Sequence, residues 1–589
     1  MPSYKAPLRD YEFCLNELFD YGNHVALPGF EDFTPDVVAQ VLAEGAKFAE
    51  QALFPLNQSG DKEGCRLENG IVTTPKGFKE AYRQFCEGGW PSLTCDPEHC
   101  GQGMPHMVNF LFEEMMAAAN LSFCLYPGLT RGAYVAIAKY GNDQQKALYA
   151  PRLASGEWAG SMCLTEAHCG TDLGLLKTQA VPLEHGAYSI TGTKIFISAG
   201  EHDLASNIIY LVLARLPDAP KGTKGISLFV VPKILAGDDG TLAKRNAVSC
   251  GSIEHKMGIH GCSTCVMNFD GATGWLVGEP HQGLKAMFAM MNAERIAVGI
   301  QGLAVADASY QNAVAYARER LQGRSPKGPQ APERSADPII VHPDVRRMLL
   351  TQRALVEGCR ALALWTAQAL DVAEHHADRT IRQQADDFVA LMTPVVKALL
   401  TDSGSEAANL GVQVLGGHGY MHANGQEQLV RDARITQIYE GTNGVQALDL
   451  LGRKVLQLGL LRTFRDPAAD FLAKCSDEAA LAEFAKPAAA ALGLLDDATG
   501  MLRQRVQSSP EEVSACAADY MRLFGLTALG YLWVRVAEIA LPKSNEEFYR
   551  AKLATARFFM QRILPQTTGL HAMILAGAPP VMDLDEASF

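Results

Sequence analysis

The chain has 589 residues, too many for one hydrophobic core, so three or four packed units are expected. Hydrophobic residues make up 48% and charged residues 20%, an ordinary globular balance. The net charge of −13 argues against a nucleic-acid face, which needs a basic surface, but a local group of cations could still hold an anionic ligand.

The N-terminal MPSYKAPLRDYEFCLNELFDY carries acids and aromatics early, unlike a signal peptide or an Arg/Ser-rich transit peptide. A cytoplasmic bacterial protein is the expectation. No apolar run reaches the roughly 18 residues of a membrane span. An amphipathic membrane-facing segment near the C-terminus stays open, without a Lys/Arg-and-aromatic pattern to support it. The 14 cysteines are scattered. The one CxxC, Cys262 to Cys265, has no second pair, and Cys163 and Cys169 with His168 do not make zinc spacing. Reduced core thiols are expected, and no metal.

An N-terminal extension (1–34) precedes a helical segment (35–160). There Thr34 reads as an N-cap with Pro35 at the first helical position, before apolar residues at 3–4 spacing. From 161 to 280 the pattern turns to short β-rich segments such as NIIYLVLARL and GISLFVVPKI, a small antiparallel β domain. Helices return at 281–460, interrupted by QGRSPKGPQAPERSADP, whose prolines exclude a helix and mark an exposed loop or arm. An Ala- and Leu-rich helical region (461–589) closes the chain.

Three polar islands stand out. SMCLTEAHCGTDLG places Thr165, Gly170 and Thr171 in a strand-to-loop segment, where small residues let backbone amides approach a flat ring or a phosphate. KIFISAG puts Phe196 and Ser198 two apart on one strand face. QVLGGHGYMHANG sets a glycine cluster amid helical sequence, a bend where backbone comes close to something. Each also has a plain reading, as a turn, an amphipathic strand and a helix cap. No Rossmann glycine motif or P-loop occurs.

With MNAERI and RDARITQIYEGTNGVQ, these islands follow the order and spacing of the acyl-CoA dehydrogenase family, which the chain resembles over roughly residues 35–460. Its extensions are similar to those of the larger bacterial branch, which includes long-chain and 3-methylmercaptopropionyl-CoA dehydrogenases. The resemblance implies a mainly α fold with a central β domain: a helical domain, a small antiparallel β domain and a four-helix bundle, plus an extra C-terminal helical domain. It implies FAD as cofactor and Glu440 of the YEGT motif as catalytic base. Met162, Leu164, Thr165, Thr171, Phe196, Ile197, Ser198 and Thr442 would contact the flavin or its phosphates. Arg320, Gln413, Gly416 and Gly417 would receive the FAD of a neighbouring subunit. Thr171, Asn292, Arg295, Tyr439 and Gly441 would line the acyl-CoA path. Thr442 could equally be an N-cap, and Arg295 and Arg320 ordinary surface cations. Three departures stand beside the match: LQGR follows Arg320 where many members have KxFG, Phe196 replaces a frequent Trp, and Gly444 stands where a Gln often follows the base.

The expected reaction is α,β-dehydrogenation of a medium- or long-chain acyl-CoA to the trans-2-enoyl-CoA, with electrons passed to an electron-transfer flavoprotein by a homodimer or dimer of dimers. A 3-methylmercaptopropionyl-CoA dehydrogenase, an acyl-CoA oxidase and a non-catalytic assembly protein on the same fold are the alternatives. A carboxylate is the natural acceptor for an α proton, and burial beside Tyr439 would raise its basicity.

Overall fold

The computed structural model describes residues 3–589 and divides the chain into two compact units. Glu44–Pro105 and Met115–Ala297 form one; the chain up to Ala43, His106–Glu114 and Val298–Phe589 form the other. Most of the N-terminal helical segment thus shares a unit with the β segment, and the second unit holds most of both C-terminal helical regions.

The first unit is built on a seven-stranded sheet: β1 (Trp158–Cys163), β2 (Gln179–Pro182), β3 (Ala187–Ser198), β4 (Asn207–Arg215), β5 (Ile226–Pro232), β6 (Val248–Ile253) and β7 (Thr264–Val277). The order runs β6-β7-β3-β2-β4-β1, with β5 joining β7 and β4. Strands β7, β3, β2, β4 and β5 therefore close a ring. Most pairs are antiparallel, but β4 runs parallel to both β1 and β2. Ile226–Pro232 is buried throughout and Asn207–Ala214 likewise, which is why both read as continuous apolar runs. Tyr210, Phe229, Met267 and Phe269 fill the interior.

Helix α1 (Leu121–Tyr140) lies directly on β1, followed by α2 (Asp143–Ala154). Gly160 permits the approach, since a Cβ there would stand 2.4 Å from that of Ala133. One feature of the 35–160 segment is not helical. Arg66–Glu68 and Ile71–Thr73 form a hairpin whose turn residues Asn69 and Gly70 both have positive φ, the conformation that Asn-Gly favours.

Helix α3 (Gly283–Glu319) contains the boundary between the units. Within the second unit follow α4 (Pro343–His375), α5 (Arg379–Leu415), α6 (Gln426–Thr436) and α7 (Asn443–Leu448). Helices α3 and α5 cross at glycines: a Cβ on Gly404 would lie 2.4 Å from the Gly302 carbonyl oxygen. After α7 the chain widens into a π-helix, Asp449–Gln457. This shifts the helical phase, so Leu451 and Val455 are buried while Leu448 is exposed. The C-terminal region adds α8 (Arg462–Asp477), α9 (Ala482–Arg505), α10 (Glu511–Ala540) and α11 (Glu547–Phe558). The stretch Glu511–Lys543 is long and apolar enough to cross a membrane, but 83% of its most apolar window is buried by its neighbours. It is the hub of the terminal bundle, and Tyr531 on it joins Trp365, Phe464 and Phe471 in an aromatic cluster.

A buried charge network ties the second unit together. The Arg360 guanidinium donates to Glu114 (3.0 Å) and to Asp10 and lies 3.4 Å from Asp307. The Lys552 ammonium donates to Asp10 and to Glu357 (2.9 Å). The N-terminal extension, α3, α4 and α11 thereby share one set of charges. Burial alone would raise the Asp10 carboxyl, but Lys552 and Arg360 hold it down at about 2. Arg360→Met would leave the buried Glu114 and Asp307 carboxylates uncompensated, a loss of about 3–5 kcal/mol. Thermal unfolding should show a clearly lowered Tm; an unchanged Tm would mean the network carries no net stability.

In the first unit His202 is buried against the Tyr126 ring, and its Nδ1 accepts from the Leu204 amide (3.2 Å). Burial pushes its pKa from 6.5 down to about 3. A depressed folded value favours the neutral ring, so the stability it contributes is full above about pH 6.5 and falls as pH drops toward 3. His202→Phe should flatten that acid limb in urea unfolding series; a parallel limb in both proteins would refute the assignment.

Candidate active site

At the end of β1 the chain enters a loop anchored by a buried ion pair. The Lys194 ammonium, wholly buried, donates to Glu166 and to the Leu164 carbonyl, both at 2.9 Å. Glu166 also accepts from the amides of Lys177 (2.7 Å) and Thr178 (3.0 Å). Burial opposes ionisation of Glu166, yet Lys194 and these donors hold its carboxyl at about 2. The pair fixes Thr165, whose carbonyl accepts from the Ile195 amide (2.9 Å). His168 and Cys169 place ligand atoms within 4.8 Å of Glu166, but the Glu166 oxygens already carry Lys194 and backbone donors. The His168 Nε2 meets the Leu175 carbonyl.

The neighbouring strand β3 is bulged against β7 between Lys194 and Ile197. Phe196, in the bulge, has φ +57° and is 61% exposed, while Ile197 is buried. Thr165 and Ser198 are half-buried and Thr171 exposed, and none of the three hydroxyls bonds another protein group among the described residues. Met162 and Leu164 are half-buried beside them in sequence. An exposed ring edge, uncommitted hydroxyls and a bulged backbone fit the edge and phosphates of a flavin nucleotide. Also in this unit, Arg295 is buried on α3, donates to Asn292 (3.3 Å) and lies 5.8 Å from the Phe288 ring centroid.

In the second unit the chain leaves α6 at Thr436 and turns through Tyr439, Glu440 and Gly441 into α7. Glu440 itself has φ +57° and Gly441 φ +83°, two consecutive left-handed residues of which only one is glycine. Thr442 is the N-cap, its hydroxyl accepting from the Val445 amide (3.3 Å). The Tyr439 hydroxyl donates to Gln301 on α3. Gln446, fully buried, donates to the carbonyls of Glu440 (3.2 Å) and Gly441 (3.3 Å).

Asn443 is the strongest tether. Its amide group donates to Asp402 (2.7 Å) and Thr401 (3.0 Å) on α5, and its oxygen accepts from the buried Lys397 ammonium (2.7 Å). Gln437 reaches the same Asp402 oxygen (2.6 Å) from the other side of the turn. Sequence reasoning did not single out Asn443, Lys397, Asp402, Gln446 or Gln301, nor Glu166 and Lys194. The available signal was a lysine in the middle of an otherwise apolar helix and an Asn directly after YEGT.

On the same unit α5 ends at Gly416 (φ +60°), and neither Gly416 nor Gly417 has an atom within 4 Å of where a Cβ would be. Gln413, Gly416, Gly417 and Arg320 are all exposed, and the Arg320 guanidinium has no ion-pair partner among the described residues. The backbone here forms an open cradle.

Residues 39–157, 161–272 and 281–456 match the N-terminal, middle and C-terminal domains of acyl-CoA dehydrogenase. Residues 464–585 match a further domain described as acetyl-CoA dehydrogenase C-terminal like. The chain belongs to the acyl-CoA dehydrogenase family. It is 44% identical over 579 residues to the 3-methylmercaptopropionyl-CoA dehydrogenase of Ruegeria pomeroyi, covering 97% of this chain and 98% of that protein. A butyryl-CoA dehydrogenase of Syntrophomonas wolfei is 34% identical, covering 100% of this chain and 99% of that one. The crystal structure of Caenorhabditis elegans ACDH-11 in complex with C11-CoA shares the fold with a TM-score of 0.75 at 19% identity, covering 95% and 91% of the two chains.

The protein is thus an FAD-dependent acyl-CoA dehydrogenase with an added C-terminal helical domain. The tethers around Glu440 give a test of what the turn does in this acyl-CoA dehydrogenase. Asn443→Ala would loosen residues 442–443 from α5 without touching the first unit's loops. We expect kcat to fall about tenfold or more with KM and FAD content nearly unchanged, since small misplacements of a reacting group cost large rate factors. Unchanged kcat in steady-state assays would show that the turn keeps its geometry unaided.

Proposed function

We propose that this enzyme dehydrogenates a short acyl-CoA, with 3-methylmercaptopropionyl-CoA the first substrate to try, and that Glu440 removes the α proton. The observation that carries the reading is Glu440 held at φ +57° by Gln446, Gln301 and the Asn443 tether. A turn so constrained fixes the point from which the Glu440 side chain projects, which suits a base that must reach one substrate carbon. FAD, when bound, supplies the acceptor for the β hydride. The Glu440 amide is the donor we assign to the thioester oxygen as negative charge develops there.

The substrate assignment draws on the full-length likeness to the Ruegeria protein, and likeness to the Syntrophomonas protein supports a short chain. Electron-transfer flavoprotein is the proposed acceptor, in the cytoplasm. A homodimer is proposed because Arg320, Gln413, Gly416 and Gly417 stand exposed around a cradle suited to a neighbour's cofactor.

Glu440→Gln should retain stoichiometric FAD yet lose about 10²–10⁴-fold in turnover. Near-normal turnover would remove Glu440 from the mechanism. A panel from butyryl- to stearoyl-CoA with the methylthio substrate should give its highest kcat/KM at the short end. A maximum among long chains would overturn the substrate assignment alone.

A further inference from the structure

The loop that carries Thr171 is held on both sides of that residue. Before it, Glu166 and Cys169 exchange backbone hydrogen bonds (2.9 and 3.0 Å), and the Lys194 pair anchors Glu166. After it, the Asp172 carboxylate accepts from the Gly174 amide (2.9 Å). The next three carbonyls all meet side-chain nitrogens. His168 lies at that of Leu175, and Arg215 donates to those of Gly174 (2.6 Å) and Leu176 (2.9 Å). Thr171 itself stays exposed between these two anchorages, its hydroxyl bonded to no protein group among the described residues.

Arg215 is the last residue of β4, and its reach extends further. It also donates to the carbonyls of Pro220 (3.0 Å) and Gly222 (2.8 Å) in the following turn. One guanidinium thereby fastens the turn at 172–176 to the turn at 220–225. Two glycines let it do so. A Cβ on Gly225 would stand 2.8 Å from an Arg215 nitrogen, and one on Gly174 would stand 3.4 Å from the Gly222 Cα. Four of the five guanidinium donors are spent on peptide carbonyls, and Arg215 forms no ion pair among the described residues. A lysine has three donors on one atom and could not span this set.

We propose that Arg215 is a positioning residue for FAD binding, acting through the backbone of this loop on Thr171. With the loop fastened, the Thr171 hydroxyl stands ready for the flavin nucleotide's phosphates, and binding need not order the chain. The proposal rests on the flavin-nucleotide reading of Thr171. Nothing in the Arg215 side chain's own contacts serves a ligand directly, since its donors are turned onto the protein.

The test is FAD affinity of the apoprotein, by quenching of flavin fluorescence, in Arg215→Lys, Thr171→Val and the double variant. We expect each single variant to bind FAD about tenfold more weakly and the double to be no weaker than the weaker single, because both changes remove one coupled contribution. Asp172→Ala cuts the same loop at an exposed side chain that folding does not need, and it too should add nothing to Thr171→Val. Native affinity in Arg215→Lys would overturn the proposal. So would a double variant, with either Arg215→Lys or Asp172→Ala, weakened by the product of the two single effects, which would make the fastening merely structural. Native affinity in Thr171→Val alone would instead overturn the reading of Thr171 on which the proposal rests.

Discussion

A side chain with a Cβ resists the left-handed conformation, and Glu440 is held in it. Such strain costs about 1–3 kcal/mol and persists only where the surroundings over-determine it. Here they do. Helices α3 and α5 approach closely enough at Gly302 and Gly404 to bring Gln301 and the Lys397–Thr401–Asp402 face around one turn. Every donor of the Asn443 amide group has an acceptor on α5, and its oxygen has a buried ammonium. The turn is set by a helix crossing that only glycine permits, and the helix crossing is in turn sealed by the turn's polar side chains.

The same logic recurs in the electrostatics. Burying a charge is unfavourable unless a partner sits beside it. The protein uses such pairs at the positions where segments distant in sequence must meet. Arg360 and Lys552 join the N-terminal extension to α11, and Lys194 with Glu166 joins the flavin-type loop to β3. Neither set touches reacting atoms. The Lys194–Glu166 pair fixes backbone that carries residues of the family's motifs, so there stability and site geometry draw on the same contacts.

Much of this was legible in the residues. The alternation of helical and β-rich segments predicted the architecture, because strands buried on both faces read as unbroken apolar runs and the long helices keep their period. The islands at 161–174, 194–200 and 413–425 announced loops where glycine and hydroxyl side chains gather. Other features were hidden for physical reasons. The π-helix after Leu448 leaves no mark in a periodicity count, though it turns Leu451 and Val455 inward and leaves Leu448 facing out. The Asn69-Gly70 hairpin is short enough to disappear among helices, though its turn dipeptide signals it. The Asn443 and Glu166 tethers depend on partners tens of residues away, and a polar residue in a motif does not say which distant group it answers.

The central claim is that Glu440 moves the α proton, a step separable from hydride loss. The direct measurement is deuterium at the α carbon, by mass spectrometry, after holoenzyme and acyl-CoA are held in heavy water without an electron acceptor. The account predicts incorporation by the native enzyme and none above background by Glu440→Gln. Equal incorporation by both proteins would contradict it.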